Sequence, residues 1–265
     1  MATFAACSGS VEEEQPPAAA ATSGAEQMPP LQAVAPAPAA EPVVPAAPPP
    51  APEPVATTPA ANAQPAQPPM PPLAVVVMHE VKDFDAWKKV FDEDAAARKE
   101  AGMLGEGVMR GVDNEKLVAV YAPATDLAKL KAFTTSKELK DKMKTAGVKG
   151  KPTIYVFNTE GGKMAPPDKT GLYGMLLQFN VKDFAAFKTA LESEEQAREG
   201  AGVIGYGLGQ SPDKATQGYL YLQSEDAAKL KGYVTSKETK KAWKDAGLQG
   251  TPKTTLLKED TMTMY

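Results

Sequence analysis

The sequence predicts an α+β fold built twice within one chain, and three observations carry that prediction. Residues 73–158 match residues 173–258 at a constant offset of 100, with 29 identities in 86 positions and no gap. Each copy alternates short β-rich runs with amphipathic stretches in the order β-α-β-β-α-β. The strands are apolar on both faces, although each copy has helices for only one face of a sheet.

The elements follow in order. Ala74-Val-Val-Val-Met-His79 is β-rich, and Asp83 is placed to cap a helix carrying Phe84, Trp87, Phe91 and Ala95 at three- and four-residue spacing. The second copy offers Asp183, Phe184, Phe187 and Leu191. Ala101-Gly102 and Ala201-Gly202 stop the helix. Apolar runs at 106–110 and 117–122 flank the polar turn Gly111-Val-Asp-Asn114; their partners, 206–210 and 218–223, flank Ser211-Pro-Asp-Lys214. A helical stretch from Asp126 is interrupted near Thr135, where Thr135 and Glu138, like Thr235 and Glu238, have capping-box spacing. The next helix ends at Gly147, and Thr153-Ile-Tyr-Val-Phe157 reads as the last strand.

Alternation then assigns faces. Val75, Val77 and His79 point one way and Val76 and Met78 the other, while Ile154 and Val156 oppose Tyr155 and Phe157. Two ferredoxin-like repeats packed sheet to sheet cover the face that the helices leave bare, which gives an intramolecular α/β barrel. The expected segments are an arm over 1–72, repeats over 73–158 and 173–260, a linker over 159–172 and a tail over 261–265.

The arm differs in kind. Nineteen of the 25 prolines lie in 1–72, among alanine runs, with six glutamates and no lysine or arginine. Such a composition favours a disordered, extended chain. The remainder carries a net charge of about +2, no steering field for nucleic acid. No apolar run is long enough to span a membrane. Phe4-Ala-Ala-Cys7 resembles the end of a lipoprotein signal, but no basic or hydrophobic segment precedes it. A cytoplasmic chain is the expectation, with lipid anchoring at Cys7 as the alternative if translation starts upstream. The arm is then free to reach a protein or envelope partner.

The runs Val77-Met-His-Glu-Val-Lys-Asp-Phe-Asp-Ala-Trp87, Arg98-x-x-Ala101-Gly102, Ser136-x-Glu138-Leu139-Lys140 and Ala146-Gly-Val-x-Gly-x-Pro152 resemble small bacterial proteins of the dimeric α/β-barrel superfamily. That resemblance implies a pseudo-dimer in one chain, acting as a monomer, with a cleft or barrel interior in each half. Its members include cofactor-less monooxygenases, isomerases and haem enzymes, so it leaves the reaction open.

Each candidate residue has a functional and a structural reading. His79 is the sole histidine and hence the sole neutral-pH proton shuttle; its counterpart is Phe179. It is either the catalytic group of one half or a core residue. Arg110, matched by Gln210, either meets an anionic ligand or snorkels to the sheet edge. Tyr121, Tyr155 and Tyr221, with Phe179, Arg110 and Gln210, line a ligand pocket or fill the space between sheets. Arg98 and Arg198 anchor a helix to an acidic neighbour or contact the other repeat. The glycines at 105, 107, 205, 207 and 209 lie in strands, the wrong context for a phosphate loop.

One cysteine and one histidine are too few for a zinc site, and neither metal nor cofactor is expected. The functional expectation is a binding or scaffold protein for a small apolar or aromatic molecule. The alternative is a cofactor-less monooxygenase or isomerase acting on a small aromatic or polyketide-like compound. A catalytic half should hold a cavity of roughly 300 Å³ or more at His79 with a perturbed proton affinity.

Overall fold

The computed structural model describes residues 70–265. The expectations for the arm and for Cys7 lie outside the described residues. The first half runs β1 (Leu73–Val81), α1 (Phe84–Glu93), α2 (Ala95–Glu100), β2 (Gly105–Gly111), β3 (Leu117–Ala124), α3 (Leu127–Thr135), α4 (Lys137–Thr145) and β4 (Val148–Lys163). The second repeats it as β5 (Tyr173–Val181), α5 (Phe184–Ser193), α6 (Glu195–Gly200), β6 (Gly205–Gln210), β7 (Gln217–Ser224), α7 (Ala227–Thr235), α8 (Lys237–Asp245) and β8 (Leu248–Met264).

Local chemistry sets most of these boundaries. Asp83 and Asp183 each accept a hydrogen bond from the backbone N–H three residues on, as helix caps do. Gly102 and Gly147 take φ of +82° and +77°, a conformation that ends helices and disfavours side chains. The second cap in each half falls one residue later than its spacing predicts. Ser136 and Ser236 accept from Leu139 and Thr239, whereas Thr135 and Thr235 close the preceding helices and bond back to Lys131 and Lys231. A break after Glu93 also divides the long first helix into α1 and α2.

The eight strands form one closed ring in the order β1-β3-β2-β8-β5-β7-β6-β4, every pair antiparallel. This is the intramolecular α/β barrel, with an added feature at its seams. The sheets are joined edge to edge as well as facing each other. β4 and β8 run 16 and 17 residues. Their far ends leave their own sheet and pair with β6 and β2 of the other half. Residues 159–163, expected in a linker, are therefore strand, as are residues 261–264 of the expected tail. Backbone pairing supplies both segments with order that their exposed or Gly-rich side chains do not.

The core has two kinds of layer. Val76, Met78, Met109, Tyr155, Leu176, Tyr219 and Leu257 fill the barrel interior. Val75, Val81, Trp87, Val108 and Leu130 pack between sheet and helices in the first half. Among the described residues no helix is long and apolar enough to cross a membrane.

Candidate functional site

The barrel interior is packed with aromatic rings. Tyr219 lies 5.2 Å from Tyr155 and 5.4 Å from Phe157, centroid to centroid. Glycine admits this packing: a Cβ on Gly209 would stand 2.2 Å from the Phe157 ring. The Tyr221 hydroxyl contacts Met109 Sδ at 3.1 Å, and burial raises the pKa of both Tyr121 and Tyr221. Three of the expected pocket residues, Tyr121, Tyr155 and Tyr221, thus belong to one cluster inside the barrel.

His79 and Phe179 face outward from the barrel, each toward the helices of its own half. Arg110 and Gln210 brace the hairpins that follow β2 and β6. Arg110 donates to the Glu115 carbonyl at 3.5 Å and lies 4.5 Å over the Phe84 ring, while Gln210 donates to the Ala215 carbonyl at 2.7 Å. The structure therefore distributes the expected residues over the interior, two helix layers and two hairpins.

The first helix layer contains a cavity of about 70 Å³ beside His79. Val77, Trp87, Phe91, Phe133 and Met143 supply apolar walls, and Asp94, Arg98 and Lys142 lie at its polar side. His79 is 6% exposed and 5.5 Å from the Trp87 ring. Neither imidazole nitrogen has a hydrogen-bond partner. Removal from water penalises the imidazolium and lowers the pKa from 6.5 to about 4. His79 is thus neutral at physiological pH, with unused hydrogen-bonding capacity next to open space.

Beside the cavity lies a buried network centred on Arg98. Its guanidinium pairs with Glu106 at 2.5 and 3.0 Å, donates to the Tyr265 hydroxyl oxygen at 3.0 Å and stacks 3.7 Å over Phe91. It also donates to the Phe91 carbonyl at 2.6 Å, at the break between α1 and α2. That carbonyl also accepts the Asp94 N–H at 3.1 Å, so the guanidinium adds a second bond at the helix end. Arg198 makes the equivalent bond to the Leu191 carbonyl, which explains why both copies keep the arginine. Arg198 has Tyr206 where Arg98 has Glu106, and stacks 4.3 Å over that ring.

In the second half larger side chains occupy the space equivalent to the cavity. Phe179 packs 4.7 Å from Phe187, and Trp243 packs on Phe187 and Tyr233 at 6.3 and 6.0 Å. Trp243 replaces Met143, and Phe179 replaces His79. Sequence reasoning singled out His79 but missed Met143, Phe133 and Glu106. Comparing side-chain size at matched positions would have found the first two.

Solved structures support the architecture. A "putative monooxygenase" from Fusobacterium nucleatum superposes with a TM-score of 0.52 at 14% identity, covering 74% of this chain and 95% of that one. A protein of the same description from Lactobacillus acidophilus gives 0.51 at 14% identity, covering 73% and 96%. An anthrone oxidase-like protein gives 0.53 at 12% identity, covering 72% and 92%. This chain has the ferredoxin-like α/β-barrel fold. At such identities the likeness is one of fold alone. No protein-family model matches the sequence, and no curated protein matches it. Among the described residues, no group of three or more His, Cys, Asp or Glu side chains is placed to hold a metal.

Proposed function

We propose that the first half is the working site, an enzyme of the cofactor-less monooxygenase or isomerase kind that takes a small, easily ionised aromatic compound beside His79. The observation that carries this reading is the neutral, unpartnered imidazole at the wall of an apolar cavity. The monooxygenase and oxidase names of the three fold neighbours agree with it. One chain supplies both halves of the barrel, so the acting unit is a monomer.

Proton affinity narrows the substrate. A neutral imidazole whose conjugate acid has a pKa of about 4 takes a proton from an ordinary phenol, pKa about 10, only at a cost of about 8 kcal/mol. A vinylogous acid or an enolisable 1,3-dicarbonyl lowers that cost, and the anion left beside the imidazolium stabilises it further. His79 then holds the substrate's O–H as a hydrogen-bond acceptor and receives the proton as charge develops on the ring system.

The second reading is binding without turnover, and the cavity volume favours it. About 70 Å³ falls well short of the roughly 300 Å³ expected of a formed ligand pocket. A panel of hydroxylated aromatics, followed by calorimetry and oxygen uptake, separates the two. Turnover by wild type that is lost in His79→Phe supports the enzyme. Binding to wild type with neither oxygen uptake nor isomerisation supports the binding reading.

A further inference from the structure

The cavity beside His79 has a larger neighbour. A surface cleft of about 400 Å³ lies between α2, α3 and α4. Asp94, Phe133, Leu139 and Lys142 border both spaces, so these four side chains form the partition.

Two of the four belong to α4, which is weakly held. It contributes no buried residue, and Leu139 and Met143 are only half-buried. Its ion pair across the partition, Lys142 to Asp94 at 3.4 Å, has a half-exposed lysine and contributes at most about 1 kcal/mol. Ser136 in extended backbone precedes α4 and Gly147 at φ +77° follows it, so the helix is bounded by a break at each end. The matched α8 has the same breaks, at Ser236 and at Gly247 with φ +94°, and differs in how it is anchored. Thr239 and Trp243 are buried in the second half, and Ala242 stands where Lys142 would be.

We propose that α4 is the door to the His79 cavity, and that a ligand passes through the partition and then occupies both spaces. Its hydroxylated aromatic end lies beside His79 and Trp87, and an uncharged polar end lies in the cleft. This rests on the reading that the cavity is the ligand site. Volume requires such a door: a benzene-sized molecule needs about 150 Å³, twice the closed cavity, so α4 moves when one binds. The cleft walls carry Lys129 and Lys142 against Asp94, Glu100 and Glu138, a mixture that selects neither anions nor strong cations.

The test uses a neutral quencher instead of a substrate, so it stands whether or not an aromatic compound is turned over. In the full chain carrying Trp243→Phe, Trp87 is the sole tryptophan. Acrylamide should quench it, and adding Lys142→Ala should raise the quenching rate constant two-fold or more. Lys241→Ala on α8 should leave it unchanged. Trp87 quenched equally with and without Lys142, or not quenched at all, overturns the proposal. Hydrogen exchange on the unmodified chain gives a second measurement. Amides of α4 should exchange at least ten-fold faster than those of α8, and equal protection also overturns it. Quenching and exchange as expected, with no aromatic compound bound, would leave the door standing and remove the proposed function.

Discussion

The two helix layers of this molecule share a backbone plan and differ in what fills them. Above β5, Phe179, Phe187, Leu191, Tyr233 and Trp243 form one buried cluster. Above β1, the matched residues are His79, Trp87, Phe91, Phe133 and Met143, and a cavity stands among them. Duplication supplied two potential sites. Large apolar side chains fill one as structural core, and the other holds a polar group and space. The second layer is therefore packed for stability, and the first is where the proposed chemistry belongs.

That division has measurable consequences. The largest effect should come from emptying the filled half. Trp243→Ala should cost about 3–5 kcal/mol in urea unfolding, and Met143→Ala at the matched position under about 2 kcal/mol, because Met143 is half-exposed and already borders open space. Equal losses would break the comparison. Next in size is the arginine network. Glu106→Ala leaves Arg98 buried without its carboxylate and should cost about 3 kcal/mol or more. Glu106→Tyr, which imports the arrangement at Arg198 and Tyr206, should cost less. Thermal and urea unfolding of the two variants side by side give the ranking.

The pH dependence comes third. His79 has its pKa lowered in the folded state, so the unfolded chain binds the proton more tightly. The stability gained by keeping it neutral is present above about pH 6.5 and lost as pH falls toward 4, on the order of 3 kcal/mol in all. Urea midpoints taken across that range should fall more steeply for wild type than for His79→Phe; parallel curves would show a hydrated imidazole. The smallest effect is expected at Tyr265, whose hydroxyl bonds to Glu106 and Arg98. Tyr265→Phe should cost about 1 kcal/mol, measured by the same method.

Much of the fold was legible because the repeat states it twice. Asp83 with Asp183 and Gly102 with Gly202 mark the same caps and stops. The apolar character of both strand faces required a second sheet. The stitching of β4 to β6 and of β8 to β2 was not legible. Thr159-Glu-Gly-Gly-Lys163 has no strand pattern of its own and is extended because another half offers it an edge. The cap shift to Ser136 was a competition between two adjacent hydroxyls, which spacing alone does not decide. At the site, His79 was visible by being unique. Its surroundings were not, because Glu106 reaches Arg98 only through tertiary packing. Tyr121, Tyr155 and Tyr221 read equally well as pocket or filling until the register placed all three inside the barrel.

Xenon tests the difference between the halves most directly, since it enters apolar cavities without needing any particular chemistry. Crystals pressurised with xenon should show it in the first half, among Val77, Trp87 and Met143, with the matched space around Phe187 and Trp243 empty of it. Xenon in the second half, or in both alike, would contradict the account.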